Sequence, residues 1–556
     1  MKKTSWSKRA SAIVFITVSV LAISLGIHQL LGIYDGSEKL LPPLPTHSVA
    51  RNSPQMLWSD SLKVSLPSDL STPKVSICSA PGSNWIEGEN LNPGSDMTAQ
   101  KWRNLHVYIA KGAVLWLNKL SADCGDTIQI HASMYNTDQS DTSPRYFEVM
   151  RIGYYAGAGS RVMWRSDNLS IRRYKIQQVK NLTRTVETNW PTLTSFTIGK
   201  DWKPGFYIVA SRNQDGNIEN FSPLIIRGES AHSKLLLIHS ALTWQAYNRF
   251  GGRSAYYGPI DPIRERSRVV SFDRPFTGSG INHIDRDAIA LVQWLEEEGI
   301  SYDQISDIDL NRTPSIIKKY NGIILSGHPE YMTNREFKTI MAARNNGINV
   351  AILGANSAYW QVRTDSSQYG PERKVDIYRN AAQDPVRNPD LVSTQFHNPI
   401  INMRPSLITG EETAGVHVHG DMNLIEKPDW LNLDQSAVLR NWPGNSEIDS
   451  QAGGKFAPEK SHILFSGKMS LFAAPKAKPR VKTDRNYKAQ TIWFTTPSGS
   501  AVFVAGINYW ACELSYSCME GNVDETTRAI LQDVTRQVLQ LWSERGIGKK
   551  LQTTTH

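Results

Sequence analysis

The stretch Asn321-Gly322-Ile323-Ile324-Leu325-Ser326-Gly327-His328-Pro329-Glu330-Tyr331 constrains this chain more than any other. Residues 323–325 are an apolar run too short for a helix and read as a buried strand. Ser326 and Gly327 end it, and His328 and Glu330 fall on the loop at its carboxyl end. Residues 333–345 read as a helix, with Thr333 as N-cap and Glu336 three residues on, the spacing of a capping box. A strand, a tight turn bearing polar groups and a helix is where open α/β sheets put their chemistry. The plain alternative is an ordinary connection whose His and Glu face solvent.

The same pattern recurs on either side of it. Residues 235–238, 348–354 and 500–506 read as further buried strands, and residues 286–298 and 524–543 as amphipathic helices. Buried strands alternating with helices predict a mostly parallel sheet over 231–548. Residues 366–488 carry long polar connections and read as an insertion, with a strongly basic run at 476–488 that reads as a solvated loop. Upstream, residues 74–230 show short β-type runs at 107–109, 127–131, 147–152 and 206–210, punctuated by Gly, Asn, Asp and Ser. This predicts a β-sandwich. Gly153-Tyr154-Tyr155-Ala156-Gly157-Ala158-Gly159 reads as a glycine-rich turn, since no helix follows to make a phosphate cradle. The fold class expected is therefore all-β followed by α/β.

The amino terminus sets the expected compartment. Lys2, Lys3, Lys8 and Arg9 precede an uncharged apolar run over residues 10–33, long enough to cross a bilayer. Basic residues before it, and Asp35 and Glu38 after it, predict a signal anchor over 1–40 in a single-pass membrane protein with its C-terminal region outside the cytoplasm. A cleaved signal peptide is the competitor. Residues 41–73, rich in Pro and Ser, read as an extended stalk. The four cysteines pair most simply as Cys78 with Cys124 and Cys512 with Cys518, although four allow three pairings. The absence of C-x-x-C spacing argues against zinc, and His417 and His419 lack a third ligand in view. The net charge of +9 is mild for 556 residues. It suits anionic glycans or lipid headgroups and gives no argument for nucleic acid. No Gly-x-Ser-x-Gly elbow occurs.

Five stretches in order resemble the large-subunit family of N,N-dimethylformamidase. They are the 153–159 turn, Thr243-Trp244-Gln245-Ala246-Tyr247-Asn248, Ser271-Phe272-Asp273-Arg274-Pro275, Ser326-Gly327-His328-Pro329-Glu330-Tyr331 and Gly354-Ala355-Asn356-Ser357-Ala358-Tyr359-Trp360-Gln361-Val362-Arg363. The resemblance implies a C-terminal domain like class I glutamine amidotransferases without their cysteine nucleophile. This chain indeed has no cysteine between Cys124 and Cys512. It also implies a mononuclear iron held by Tyr207, Tyr247 and Glu330, with His328 and Asn356 beside it as catalytic groups. Phenolate and carboxylate are hard oxygen donors, suited to high-valent iron. The expected activity is hydrolysis of a small amide or related C–N bond.

Two departures stand out. Pro329 replaces a frequent Asp. The family's late catalytic glutamate, in a segment often reading Gly-Tyr-Glu, meets Val438-Leu439-Arg440-Asn441-Trp442, which has no acid; Glu447 and Glu513 follow, neither in register. That gap motivates a second expectation, a non-catalytic envelope protein binding a surface glycan. A homo-oligomer is left open. For each ligand a plain reading exists: Tyr207 as a core aromatic, Tyr247 packed under the sheet, and Asn356 as a turn residue tolerating positive φ.

Overall fold

The computed structural model describes residues 46, 54–72, 78, 85–103, 105, 110–178, 182–228, 233–261, 264–471, 487–519, 521 and 523–553. The expected anchor over 1–40, the expected strand at 107–109 and all but the last two positions of the basic run 476–488 lie outside the described residues. The single-pass membrane placement is corrected: among the described residues no helix is long and apolar enough to cross a membrane. The stalk expectation is corrected for its distal part. Trp58 packs edge-on against Phe494 at 5.6 Å and lies under the Arg344 guanidinium at 4.3 Å. Leu70 N–H donates to the Arg312 carbonyl at 2.8 Å. Met56, Leu62, Val64 and Leu66 supply the apolar anchorage that holds this segment on the α/β layer.

The N-terminal β region is a sandwich. A six-stranded sheet, in the order Ser95–Asp96, Gly159–Arg165, Tyr146–Ile152, Gly205–Arg212, Ile218–Ile226 and Ser121–Ala122, faces a three-stranded one of Gly112–Leu117, Thr127–Tyr135 and Thr192–Thr197. Period-two alternation sorts its side chains. Phe147, Val149, Tyr207, Val209 and Leu224 point into the sandwich with Leu115, Ile128 and Phe196. Met150, Ile152, Phe206, Ile208 and Phe221 point the other way and share one core with Trp244, Ile289 and Leu237 of the α/β layer. The larger sheet is thus buried on both faces. An ion pair crosses that seam: Arg151 Nη2 to Glu296 Oε1 at 2.6 Å, with neither side chain exposed. Breaking a buried pair of this kind costs about 3–5 kcal/mol.

The α/β layer is built on one nine-stranded sheet, in the order Tyr302–Ser306, Leu235–His239, Gly322–Ser326, Asn349–Leu353, Ala501–Val504, Tyr487–Thr495, His462–Leu471, Glu411–Leu424 and Val438–Gln451. The first five run parallel. The rest pair antiparallel. The expected mostly parallel sheet is therefore corrected to a mixed one. The region read as a polar insertion supplies three of its strands, and residues 44–556 pack as one compact unit.

Within the parallel half the chain order is 2-1-3-4-5, so the connections diverge between Leu235–His239 and Gly322–Ser326. That divergence opens a crevice at the strands' carboxyl ends. The capping box forms as the spacing predicts: Thr333 caps Asn334–Asn345, its hydroxyl accepting from Glu336 N–H at 3.1 Å. Both disulfides form in the simplest pairing, Cys78–Cys124 and Cys512–Cys518.

Candidate active site

The site lies at that divergence. Strand Leu235–His239 leads into the short helix Ala241–Tyr247, which ends on Tyr247. Strand Gly322–Ser326 leads into Gly327, His328 and Glu330. Tyr247 Oη donates to Glu330 Oε2 at 2.8 Å. Tyr256 Oη donates to Glu330 Oε1, and Trp360 Nε1 adds a bond to the same oxygen at 3.1 Å. The two phenol rings stack at 4.5 Å. Two tyrosines and one carboxylate thus converge, with the two phenols half-buried on the cavity wall and Glu330 buried beneath.

Tyr256, not Tyr207, is the second phenol, which corrects the expected ligand set. Tyr207 Oη donates to the Lys203 carbonyl at 2.7 Å, and its ring stacks on Trp202 at 5.6 Å inside the sandwich. The reason is parity. Phe206 takes the face toward the α/β layer, packing on His239 and Trp244, so Tyr207 faces the other way.

Tyr256 sits on an irregular loop that other expected motifs hold in place. Arg274, fully buried, donates to the carbonyls of Asn248, Phe250 and Arg253 at 3.0–3.1 Å. Asn248 Nδ2 donates to Gln245 Oε1 at 2.7 Å and to the Pro275 carbonyl at 2.9 Å. These stretches therefore act as a brace. Above Tyr256, the Arg379 guanidinium lies 4.2 Å from its ring and 4.4 Å from that of Trp360.

His328 and Asn356 come to the same place, and they bring an acid that the sequence reading leaves unaligned. Glu447, on the edge strand Val438–Gln451, accepts from Asn356 Nδ2 at 2.6 Å and lies 3.2 Å from His328 Nε2. Thr413 Oγ1 donates to Asn356 Oδ1 at 2.8 Å, and Asn356 N–H donates to Asp449 at 2.9 Å. Asn356 holds φ +52°, as the turn reading expects, and its side chain faces Glu447. Glu513 is placed elsewhere, paired with Arg528 at 3.2 Å.

Two glycines make this closeness feasible. A Cβ on Gly327 would lie 2.3 Å from Asp287 Oδ1, and one on Gly354 only 1.6 Å from the Gly327 carbonyl oxygen. The loops that carry His328 and Asn356 touch backbone to backbone, which only glycine permits.

The electrostatics separate the two halves of the site. Burial, then the Glu330 carboxylate, push the Tyr247 and Tyr256 phenols well above their ordinary value. Burial also raises Glu330. Burial would raise Glu447 too, but the charge of the nearby His328 imidazolium and the hydrogen bond from Asn356 overturn that and hold it at about 2. Burial works against charge on His328, and Glu447 outweighs it, so the imidazole is raised. Both ring nitrogens of His328 are buried without an aligned hydrogen-bond partner, Nε2 included despite its nearness to Glu447. Such donors point at something that binds.

The donor set fits a hard, highly charged cation: three oxygens, anionic once the phenols give up their protons, poor for thiophilic metals. A cavity of about 440 Å³ opens over these groups, lined by Tyr247, Tyr256, His328 and Glu447. Fold and site together define an α/β protein with an appended sandwich and a polar cavity at the sheet's point of divergence. The family model described as "N,N-dimethylformamidase beta subunit-like, C-terminal" matches residues 146–524, and the chain belongs to that family. A relative, the N,N-dimethylformamidase beta subunit of Alcaligenes sp., is 24% identical over 425 residues, 62% of this chain and 54% of its own length. The chain thus spans about half of that relative. A solved Paenibacillus sp. cycloisomaltooligosaccharide glucanotransferase bound to cycloisomaltoheptaose covers 72% of each chain at 10% identity, but its TM-score of 0.17 carries no argument. Neither the family match nor the relative bears on the expected likeness to class I glutamine amidotransferases.

Proposed function

We propose that this chain is a metal-dependent hydrolase of small amides, with iron held by Tyr247, Tyr256 and Glu330. The observation that carries the reading is the convergence of two phenols on one buried carboxylate beside the His328–Glu447–Asn356 cluster. A bound iron supplies Lewis-acid polarisation of the amide carbonyl and acidifies water. The chain's own groups supply the rest. His328, held protonated, donates to the oxygen that gains charge as the carbonyl carbon becomes tetrahedral. Glu447 receives a proton from the attacking water and passes it to the departing nitrogen. The water oxygen bonds to the carbonyl carbon, the C–N bond breaks as the nitrogen takes the proton from Glu447, and a carboxylic acid and an amine leave, the acid then losing its proton to the amine in solution. Asn356 orients Glu447.

The missing acid motivated the glycan-binding alternative, and Glu447 removes that motive. The relative is named as a subunit, which supports an oligomer for this chain, to be read by sedimentation.

The test is metal content and tyrosinate-to-metal absorption of the full chain, alongside hydrolysis of N,N-dimethylformamide and acetamide. Wild type is expected to hold about one iron per chain and to release amine, and Glu330→Gln to lose both with its thermal melt retained. A wild-type protein that is reconstituted with iron salts yet stays colourless and metal-free would overturn the reading.

A further inference from the structure

The cavity extends beyond the groups that would act on an amide bond. Its volume of about 440 Å³ lies within the ~300–1,000 Å³ that enclose drug-sized ligands, more than a minimal amide fills. Its lining also includes Arg249, Tyr257, Ser279, Arg286, His417 and Tyr509. Of the described lining residues, Glu447 is the one carboxylate, and it is engaged with His328.

The two arginines differ in what they do with their charge. Arg286 is buried and spent within the protein: its Nε donates to Asp287 Oδ1 at 3.0 Å, an Nη2 lies 2.5 Å from His283 Nδ1, and its face covers Tyr509 at 4.8 Å. Arg249 is half-buried, and among the described residues no carboxylate pairs with it. Its guanidinium lies over the Tyr257 ring at 3.9 Å, and its stem rests on Gly278, where a Cβ would sit 3.5 Å from Cδ. The Asn248 hydrogen bonds fix the backbone just before it. A guanidinium held by stacking, with its edge uncommitted, is prepared for a planar anion.

We infer that the substrate is an amide that also bears a carboxylate, bound by Arg249 at the mouth while the amide group reaches Glu330 and His328. This rests on reading the cavity as the amide site. Tyr257 and Tyr509 line the same cavity.

The experiment is calorimetric titration of the full chain with N-acetylglycine and with its neutral counterpart N-acetylglycinamide. Wild type is expected to bind the acid at least ~10-fold more tightly at low salt, with the preference shrinking as NaCl rises. Arg249→Gln is expected to reduce the preference below ~2-fold, and Arg249→Lys to restore part of it, since a point charge lacks the fork. Equal affinity in wild type, no binding of either probe, or a preference unchanged in Arg249→Gln would each overturn the inference. The wild-type comparison and its salt dependence stand whether or not the variants fold. A carboxylate preference without hydrolysis of either probe sinks the hydrolase reading and leaves this inference intact; hydrolysis confined to neutral amides does the reverse.

Discussion

The two halves of the nine-stranded sheet contribute to the site in different ways. The parallel half delivers side chains from the ends of its strands: Tyr247 after Leu235–His239, His328 and Glu330 after Gly322–Ser326, Asn356 after Asn349–Leu353. The antiparallel half delivers them from within: Thr413 and Glu447 lie inside long strands whose edges reach over the crevice. Strand ends gather donors at one spot whatever follows them in the chain. A strand interior reaches that spot only when pairing and register are right. On the proposed reading, the parallel half would supply Tyr247 and Glu330 toward a cation, and the antiparallel half would supply the proton carrier Glu447.

Four outcomes would sharpen or break that division. The largest belongs to Glu447→Gln: kcat should fall ~10²–10⁴-fold while metal content stays at the wild-type level. Loss of the metal instead would mean that the antiparallel half also binds the cation. Next comes Tyr256→Phe, which should weaken metal binding by at least ~100-fold and remove much of the tyrosinate absorption; Trp360 and Arg379 remain, so the fold should hold. Tyr207→Phe is the contrast. Its metal content should be unchanged, and denaturant unfolding should show a cost of about 1–3 kcal/mol from the orphaned Lys203 carbonyl. Metal loss in that variant would restore Tyr207 to the site.

The last outcome concerns the pH dependence of stability, through Asp449. Burial, then the neighbouring Glu447 carboxylate, raise it to about 7, against an unfolded value of 3.8. Below about pH 4 both states are protonated and the group contributes nothing. Between about pH 4 and 7 the native state keeps a proton that the unfolded state has lost, so stability falls as pH rises, by up to ~1.4 kcal/mol per pH unit. Asp449→Asn should melt increasingly above wild type across that window and keep a constant advantage beyond it. A constant difference from pH 4 to 8 would show that Asp449 is ionised throughout.

The residues legible in the sequence are those whose signal is local. Strand, glycine, His328 and Glu330 lie within eight residues, and Thr333 with Glu336 announces the helix that follows. Tyr256 has no such signal: it follows a loop of Gly251, Gly252 and Arg253 whose position depends on Arg274, twenty-odd residues away. The sequence pattern leaves open which face Tyr207 takes, because a two-residue period does not say which parity meets the neighbouring layer until that layer is placed. Glu447 was hidden by bulges. Pairing between Glu411–Leu424 and Val438–Gln451 shifts register at Thr413/Gly415, Gly415/Val418, Val418/Gly420 and Gly420/Met422. Each shift breaks the alternation by which a strand announces itself, so these strands read as polar connections.

The six-stranded sheet, apolar on both sides, has a consequence for dissection of this protein. A fragment trimmed to the sandwich alone would carry Met150, Ile152, Phe206, Ile208 and Phe221 as a bare greasy slab, together with an Arg151 robbed of its counter-charge. Such a piece should precipitate or pair with its own kind. The two layers share one core, so neither is a unit that can be excised intact.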